Sequence, residues 1–171
     1  KFDSSDIFNI QEYHGSWITY MRLSKEMRDV NAWYHIVIRI DTTQATESDR
    51  VRVYVNGELQ TAFEQVYNGS SWVNTIYPSQ NANLYLGEQQ TFYIGSTSSA
   101  NYYDGLMSHF HYCDGYSYDA SSFGSTDATT GIWKINTSPS VSYGTNGFFI
   151  LKDGNGVTDQ SGQSNDWAVG G

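Results

Sequence analysis

Residues 32–63 read AWYHIVIRIDTTQATESDRVRVYVNGELQTAF, and this stretch decides the fold class. In residues 33–40 every second side chain is Tyr or Ile, which predicts a half-buried strand with its isoleucine face inward. Residues 50–55 alternate in the same way and are followed by Asn56-Gly57. Because both of these residues tolerate a positive φ, they predict a tight hairpin into a third strand. The stretch contains no obvious catalytic group.

Composition and charge limit the class of protein. The 171 residues fit one domain with a real core, and 14 Tyr, 5 Trp and 16 Gly are typical of a β-protein with many turns. The net charge of −9 argues against nucleic acid as a partner, because phosphate binding needs a clustered basic surface. No apolar run approaches the ~18 residues of a membrane span, so we expect no membrane insertion. The single cysteine, Cys113, allows no intrachain disulfide.

Short strand patterns recur along the whole chain, with turn residues between them. Outside the opening stretch we predict strands at residues 7–10, 17–23, 84–86, 91–94 and 106–113, one after the turn within 143–151, and one at the end of 153–169. Residues 121–124 predict one helical turn, and no segment has the 3.6-residue period of a longer helix. This pattern predicts an all-β sandwich or barrel.

A series of later motifs follows the opening stretch. They are YPSQNA at 77–82, YIGS at 93–96, YYDGLMSHFHYCDG at 102–115, SSFG at 121–124, TTGIWKI at 129–135, YGTNGFFI at 143–150 and DQSGQSNDW at 159–167. In this order, and together with the opening stretch, they resemble laminin-G-like, concanavalin A-like jelly-roll domains. The residues of these motifs resemble the branch of this family that is found in structural proteins of tailed bacteriophages, especially marine and cyanobacterial ones.

The resemblance implies a fold, a location and partners. The fold would be a concanavalin A-like sandwich of two antiparallel sheets, with residues 1–171 as a single domain. Such phage domains occur in tail fibres and virion-surface proteins. The resemblance therefore implies an extracellular place on the virion surface, with other copies of the chain and other virion proteins as partners.

The N-terminal part is atypical for this family. Such domains open with a WTFSGWV-like strand, and residues 1–31 contain no match to it. Either the domain lacks its N-terminal strand, or residues 1–28 replace that strand in their own way. An uncovered sheet edge would invite pairing with another chain, which favours a homo-oligomer or a larger assembly.

Catalysis is not expected, although concanavalin A-like folds also include glucanases. Those enzymes place carboxylates in a Glu-x-Asp-x-x-Glu array, and retaining chemistry needs two carboxyls ~5–5.5 Å apart. Glu47-Ser48-Asp49 is the one partial match, and no third carboxylate follows it. We therefore predict a non-enzymatic protein with no catalytic residues.

Calcium is the cation that the sequence favours, and no other cofactor is expected. Laminin-G-like domains often hold Ca²⁺ at a sheet rim, and Asp41 and Asp49 bracket a loop that could supply such oxygens. Residues 153–159, DGNGVTD, are a second candidate without the full EF-hand pattern. His109 and His111 share a strand face but lack a third ligand at a known spacing. The alternative for both aspartate sites is side-chain capping of turns.

Aromatic residues in the predicted loops are the remaining functional signal, because flat Trp and Tyr faces stack on sugar rings. The predicted glycan-binding residues are Trp72, Tyr77, Tyr102, Tyr103 and Tyr116. For each of them, packing within the fold is the alternative. Together with the resemblance, these residues imply a virion-surface or tail-fibre structural module of a bacteriophage that contacts host glycans. The alternatives are a bacterial extracellular carbohydrate-binding or adhesin domain and, third, a glycoside hydrolase.

Overall fold

A computed structural model describes residues 1–87, 91–96, 102–152 and 156–170. Antiparallel strands dominate these residues, and helix is confined to single turns, which confirms the all-β prediction. The chain packs into two compact units. The first unit contains Lys1–Leu84 and Ser117–Asn136, and the second contains Tyr85–Tyr116 and Thr137–Gly171.

Apart from β1 and β2 the strands are short, and all the pairings among the described residues are antiparallel. The strands are β1 (Ile7–Tyr13), β2 (Trp17–Glu26), β3 (Ile36–Ile40), β4 (Val51–Val55), β5 (Glu58–Leu59), β6 (Val66–Tyr67), β7 (Trp72–Val73), β8 (Phe110–Tyr112), β9 (Gly124–Thr126), β10 (Trp133–Ile135) and β11 (Phe148–Ile150). The helical turns are α1 (Glu47–Arg50) and the 3₁₀ turns η1 (Tyr85–Gly87) and η2 (Ala120–Ser122). The sheets are β1–β2, β3–β4–β5, β6–β7, β9–β10 and β8–β11.

The β1–β2 hairpin occupies the N-terminal part of the first unit. Both strands lie where the sequence predicts them and extend beyond the predicted ends. Asp3 ties the segment before β1 to both strands of the hairpin, because its carboxylate accepts hydrogen bonds from Arg22 at 2.8 Å and from Asn9 at 3.1 Å. Residues 1–28 thus supply two paired strands of their own.

The β3–β4–β5 sheet packs against this hairpin through one apolar cluster. Its buried members are Ile7, Met21, Leu23, Met27, Val51, Val53 and Val55. Asn56 and Gly57 adopt φ of 50° and 81° between β4 and β5, which confirms the predicted hairpin. The valines of β4 alternate inward because residues two apart on a strand share a face.

The prediction of a half-buried β3 with an inward isoleucine face is partly wrong. Ile36 and Ile40 pack on the cluster, but Ile38 is 41% exposed. On the opposite face Val37 and its cross-strand neighbour Tyr54 are both buried. The partners on that face come from distant segments: Tyr54 donates a hydrogen bond to Asp119, and Trp133 donates one to His35. A period-two pattern does not reveal such partners.

Two short segments extend the sheet beyond the outer edge of β2. Leu23 forms a bridge to Phe63, and Tyr20 forms a second bridge to Ile76. The backbone N–H of each residue in the Tyr20–Ile76 pair donates to the carbonyl of the other at 2.9 Å. The chain between these bridges folds back as the β6–β7 hairpin.

The second unit has the aromatic β8–β11 pair at its centre. Phe110 and Phe148 stack with ring centroids 5.9 Å apart, and Trp167 packs on Phe148 at 4.8 Å. The predicted strand at 106–113 is shorter than expected. His109 takes a φ of 53°, which breaks the extended backbone just before β8.

Three further strand predictions are wrong. Residues 84–86 overlap η1 instead of forming a strand. Residues 91–94 form no strand, and the carbonyl of Gly95 instead accepts the amide of Tyr103 at 2.7 Å. Residues 156–169 form no strand either, because the Asp159 carboxylate draws the chain into a loop by accepting the amides of Phe149, Ser161 and Asn165.

Candidate functional site

Residues 65–76 contain a two-stranded hairpin next to β2, and we call this segment the arm. It contains β6 and β7, and its two ends are held on the same strand by the Leu23–Phe63 and Tyr20–Ile76 bridges. Next to the first bridge, the amide of Glu64 donates to the carbonyl of Arg22 at 2.8 Å. Both ends are therefore fixed on β2, and the residues at the tip, 67–72, are exposed to solvent.

The turn at the tip of the arm is fixed by one side chain. Asn68 Oδ1 accepts the backbone amides of Ser70 at 2.9 Å and Ser71 at 2.8 Å. The Asn68 amide donates to the Ser71 carbonyl at 3.0 Å, and Gly69 takes a φ of 104° that suits glycine. Asn is favoured at such turns because its short carboxamide can bond the backbone two residues on.

An exposed aromatic pair flanks this turn. Tyr67 and Trp72 are cross-strand partners, with ring centroids 5.7 Å apart and planes at 57°. Tyr67 is 48% exposed and Trp72 is 66% exposed. A cross-strand pair places both rings on one face of the hairpin, where both are open to solvent.

The arm is neutral in a strongly acidic chain. Residues 65–76 contain no charged side chain, although the chain carries a net charge of −9. The polar side chains of the arm are amides and hydroxyls: Gln65, Asn68, Ser70, Ser71, Asn74 and Thr75. The tip therefore offers aromatic faces and uncharged hydrogen-bonding groups together.

A groove of about 510 Å³ lies beside the base of the arm. One group of lining residues comes from α1 and β4, and the others come from residues 59–63 and 74–77. The polar lining residues are Ser48, Asp49, Arg52, Gln60, Thr61, Asn74 and Thr75, and the apolar ones include Leu59, Phe63 and Tyr77. The groove is thus lined by hydrogen-bonding side chains with aromatic surface among them.

An ion pair is the main charged element of the groove. Arg52 Nη2 donates to Asp49 Oδ1 at 2.8 Å. The hydrogen bonds of Arg52 with Asp49 and Tyr54 raise the pKa of its guanidinium above the ordinary value. Burial raises the pKa of the Tyr77 hydroxyl, against a hydrogen bond with Thr75 that lowers it. Arg52 therefore stays charged and Tyr77 stays a neutral donor at physiological pH.

Three residues predicted from the sequence lie on the arm or in the groove beside it. Trp72 lies on the arm, while Tyr77 and Asp49 line the groove. Asp49 lies in the one-turn helix α1 rather than in the loop that the sequence suggested. Sequence reasoning missed Tyr67, although its position before Asn68-Gly69-Ser70-Ser71 mirrors that of Trp72 after it. It also missed Arg52, whose spacing of three from Asp49 is typical of a local ion pair.

The other predicted glycan residues belong to the second unit. Tyr102, Tyr103 and Tyr116 are 67%, 44% and 50% exposed. Tyr116 lines a separate hollow of about 390 Å³ together with Tyr143. The ring of Tyr103 lies close over Gly105, where a Cβ atom would come within 2.6 Å of it.

The carboxylates predicted to bind calcium already have partners. Asp41 accepts hydrogen bonds from Thr43 Oγ1 and Gln44 Nε2, each at 2.6 Å. These two bonds are the main reason why the pKa of Asp41 is lowered. Asp49 is paired with Arg52. Within residues 1–87, 91–96, 102–152 and 156–170, no group of three or more His, Cys, Asp or Glu could hold a metal ion. The calcium site at Asp41 and Asp49 stays a prediction, and residues 153–155 of the second candidate loop lie outside the described residues.

The two histidines of the second unit contact hydroxyl groups, and its cysteine is half-buried. His111 Nδ1 lies 2.8 Å from the Tyr143 hydroxyl, and its ring stacks on Phe149 at 3.9 Å. His109 Nδ1 lies 2.6 Å from Ser108 Oγ. Burial raises the pKa of the half-buried Cys113 to about 11, so this residue is a protonated thiol at neutral pH.

Comparison of the chain with family models, with curated proteins and with solved structures gives no match. The resemblance to phage laminin-G-like domains therefore stays a prediction. In the described part of the chain, no helix has both the length and the apolar character needed to cross a bilayer.

Proposed function

We propose that this chain is a non-enzymatic carbohydrate-binding module whose site is the arm with its adjoining groove. The observation that carries the proposal is the exposed Tyr67–Trp72 pair, which flanks a neutral turn that Asn68 holds by hydrogen bonds. Aromatic faces pack on the apolar C–H faces of sugar rings, and their polar edges add hydrogen bonds. A pre-formed pair binds better than mobile rings because less conformational freedom is lost on binding.

The groove supplies the directional contacts that such a ligand needs. Asn74 and Gln60 carry amides that can both donate and accept, which suits the mixed hydroxyls of a sugar. The Asp49–Arg52 pair offers a charged acceptor and a charged donor side by side, and charge-assisted bonds are the stronger ones. This set matches a polyhydroxylated ligand better than an apolar one.

The electrostatics favour neutral sugars. The net charge of −9 repels anionic ligands at long range, and the arm itself adds no positive charge. We therefore expect neutral hexose-containing glycans to bind and sialylated or uronic-acid-rich glycans to bind weakly.

The wider setting rests on the sequence resemblance. We place the module on a bacteriophage virion, in a tail fibre or surface protein, with a jelly-roll sandwich as its fold and virion proteins as neighbours. A bacterial extracellular adhesin domain would use the same site. Hydrolysis is not part of the proposal, because Asp49 is held by Arg52 and the partial carboxylate motif at Glu47 lacks a third member.

A glycan array followed by calorimetry on the best ligand tests the proposal. We expect the wild type to bind neutral glycans and Trp72→Ala to lose at least tenfold in affinity. Trp33→Ala is the matched control, since Trp33 is 64% exposed in the same unit but lies outside the arm. An array without signal, or equal affinities for wild type and Trp72→Ala, would refute the site.

A further inference from the structure

The outer edge of β3 has free backbone groups. At the two ends of the β3–β4 ladder, Asn56 donates to the His35 carbonyl and Asp41 donates to the Arg50 carbonyl, each at 2.8 Å. Because hydrogen-bonded pairs alternate along an antiparallel ladder, the odd-numbered residues of β3 face β4. The N–H and C=O groups of Ile36, Ile38 and Ile40 therefore point away from β4.

These outward groups have no partner among the residues that the structure describes. The only strand pairing of β3 there is with β4, and no backbone bond from Ile36, Ile38 or Ile40 reaches another segment. Ile38, in the middle of this edge, is 41% exposed. An exposed row of unpaired donors and acceptors is a template for pairing with another chain.

The edge lacks the usual protection against such pairing. Natural edges are blunted by proline, lysine, bulges or inward-pointing charges. β3 reads IVIRI and contains no proline or lysine, and its regular register with β4 shows no bulge. Its one charged residue, Arg39, lies on the face opposite the isoleucines. Arg39 Nε lies 3.6 Å from Asp119 and its Nη2 lies 3.8 Å from Asp41. Because both ion pairs hold this side chain, its charge does not block pairing at the edge.

The strand is complementary to itself. In an antiparallel pair with Ile38 opposite Ile38, Ile36 of one copy faces Ile40 of the other, so all the outward-pointing residues meet as hydrogen-bonded pairs. On the other face Arg39 of one copy lies opposite Val37, and Asp41 lies opposite His35. No two like charges are opposed, which a different partner strand would not guarantee.

We propose that the outer edge of β3 pairs with the same edge of a second copy, in antiparallel register with Ile38 at the two-fold axis. The pairing joins two β3–β4–β5 sheets into one continuous sheet and removes the exposed edges. This inference goes beyond glycan binding and uses a different part of the first unit. Since each copy carries a charge of −9, association strengthens as salt screens their mutual repulsion.

Sedimentation equilibrium across a concentration series tests the pairing. We expect a dimer whose affinity rises with salt and falls at least tenfold in Ile38→Lys. Ile38→Pro serves as a second variant, because the lost N–H is an outward one and the β3–β4 ladder keeps its bonds. Ile135→Lys is the matched control, since Ile135 is 43% exposed on another strand, and it should leave the dimer unchanged.

Hydrogen exchange and cross-linking test the register. The amides of Ile36, Ile38 and Ile40 should exchange slowly in the dimer and quickly after dilution. Ile38→Cys should form an intermolecular disulfide on oxidation, since opposed residues lie ~5.5 Å apart, whereas the wild type with Cys113 alone should not. A chain that stays monomeric at its highest soluble concentration, or a dimer that Ile38→Lys and Ile38→Pro leave intact, would overturn the proposal.

Discussion

The indole Nε1 of Trp133 donates a hydrogen bond to Nδ1 of His35 at 2.9 Å, across 98 residues of chain. The two rings are nearly parallel, with centroids 5.9 Å apart and planes at 19°. The bond joins the β9–β10 hairpin to the start of β3. It requires His35 to present an unprotonated Nδ1, which makes this contact sensitive to pH.

We expect the protein to lose stability as the pH falls through the range in which His35 titrates. Burial lowers the pKa of His35 below its ordinary ~6.5, so between the folded and unfolded values the unfolded state binds more protons. Stability from this residue is therefore complete above pH ~6.5 and declines below it until the folded pKa is passed. Denaturant unfolding from pH 8 to pH 5 measures the effect.

His35→Phe is the control for this dependence. Phenylalanine keeps a ring against Trp133 but cannot titrate or accept the indole N–H. The variant should be less stable at pH 8, by about 1 kcal/mol for the lost bond. The difference in stability between the wild type and the variant should shrink towards pH 5. A difference that stays constant over this range would contradict the assignment.

Gly57→Ala should be strongly destabilising. Gly57 has a φ of 81°, and a Cβ atom there would come within 2.2 Å of the Trp133 ring. Gly15 is the matched control, because it has a φ of 77° and open space around it. We expect about 1 kcal/mol for Gly15→Ala from backbone strain alone and about 1–3 kcal/mol more for Gly57→Ala from the clash. Thermal or denaturant unfolding gives both numbers, and equal losses would mean that Trp133 moves aside freely.

Local chemistry explains which parts of the fold could be predicted from the sequence. The Asn56-Gly57 hairpin was predictable because both residues suit positive φ, which is a property of two neighbouring positions. The turn at Asn68-Gly69 has similar chemistry, but no hairpin was predicted there, and Trp72 was named only as an aromatic residue of a loop. The His35–Trp133 bond was not predictable, since no local pattern specifies a partner 98 residues away.

The wrong strand predictions have a related cause. Residues 84–86 and 91–94 have apolar composition that fits a strand, but a strand forms only where a second segment pairs with it. Near the C-terminus the Asp159 carboxylate accepts three backbone amides. These hydrogen bonds replace those of a strand pairing and favour a loop. The groove beside the arm depends on three separate segments, so only Asp49 and Tyr77 could be singled out from sequence.

Asp3→Asn should lower stability by about 1–2 kcal/mol. Burial opposes ionisation of Asp3, but hydrogen bonds from Arg22, Asn9 and the amides of Ser5 and Ile7 outweigh it and hold its pKa well below the usual range. Stability from this carboxylate is present above pH ~4 and is lost as the pH falls further. Arg22 also pairs with Glu64, so the change disturbs the base of the arm as well.

Asp6→Asn controls for a general effect of removing charge near the N-terminus. Asp6 lies 3.7 Å from Arg28 in a pair whose two side chains are about 60% exposed, and such pairs contribute little. We expect Asp6→Asn to change stability by less than about 0.5 kcal/mol. Denaturant unfolding of both variants at pH 7 and pH 3 separates them. If Asp3→Asn behaves like Asp6→Asn at both values, the Asp3 network does not hold the hairpin.

Asn68→Ala should weaken glycan binding without unfolding the domain. Asn68 Oδ1 fixes the turn between Tyr67 and Trp72, so its loss loosens the aromatic pair while both rings remain. The energy needed to order the turn again, about 1 kcal/mol, corresponds to roughly a fivefold loss of affinity. Calorimetry with the glycan that the wild type binds measures this loss, and proteolysis reports whether the arm becomes mobile. Asn31→Ala, at another exposed loop of the same unit, should change neither, and unchanged binding by Asn68→Ala would mean that the rings hold their positions without the turn.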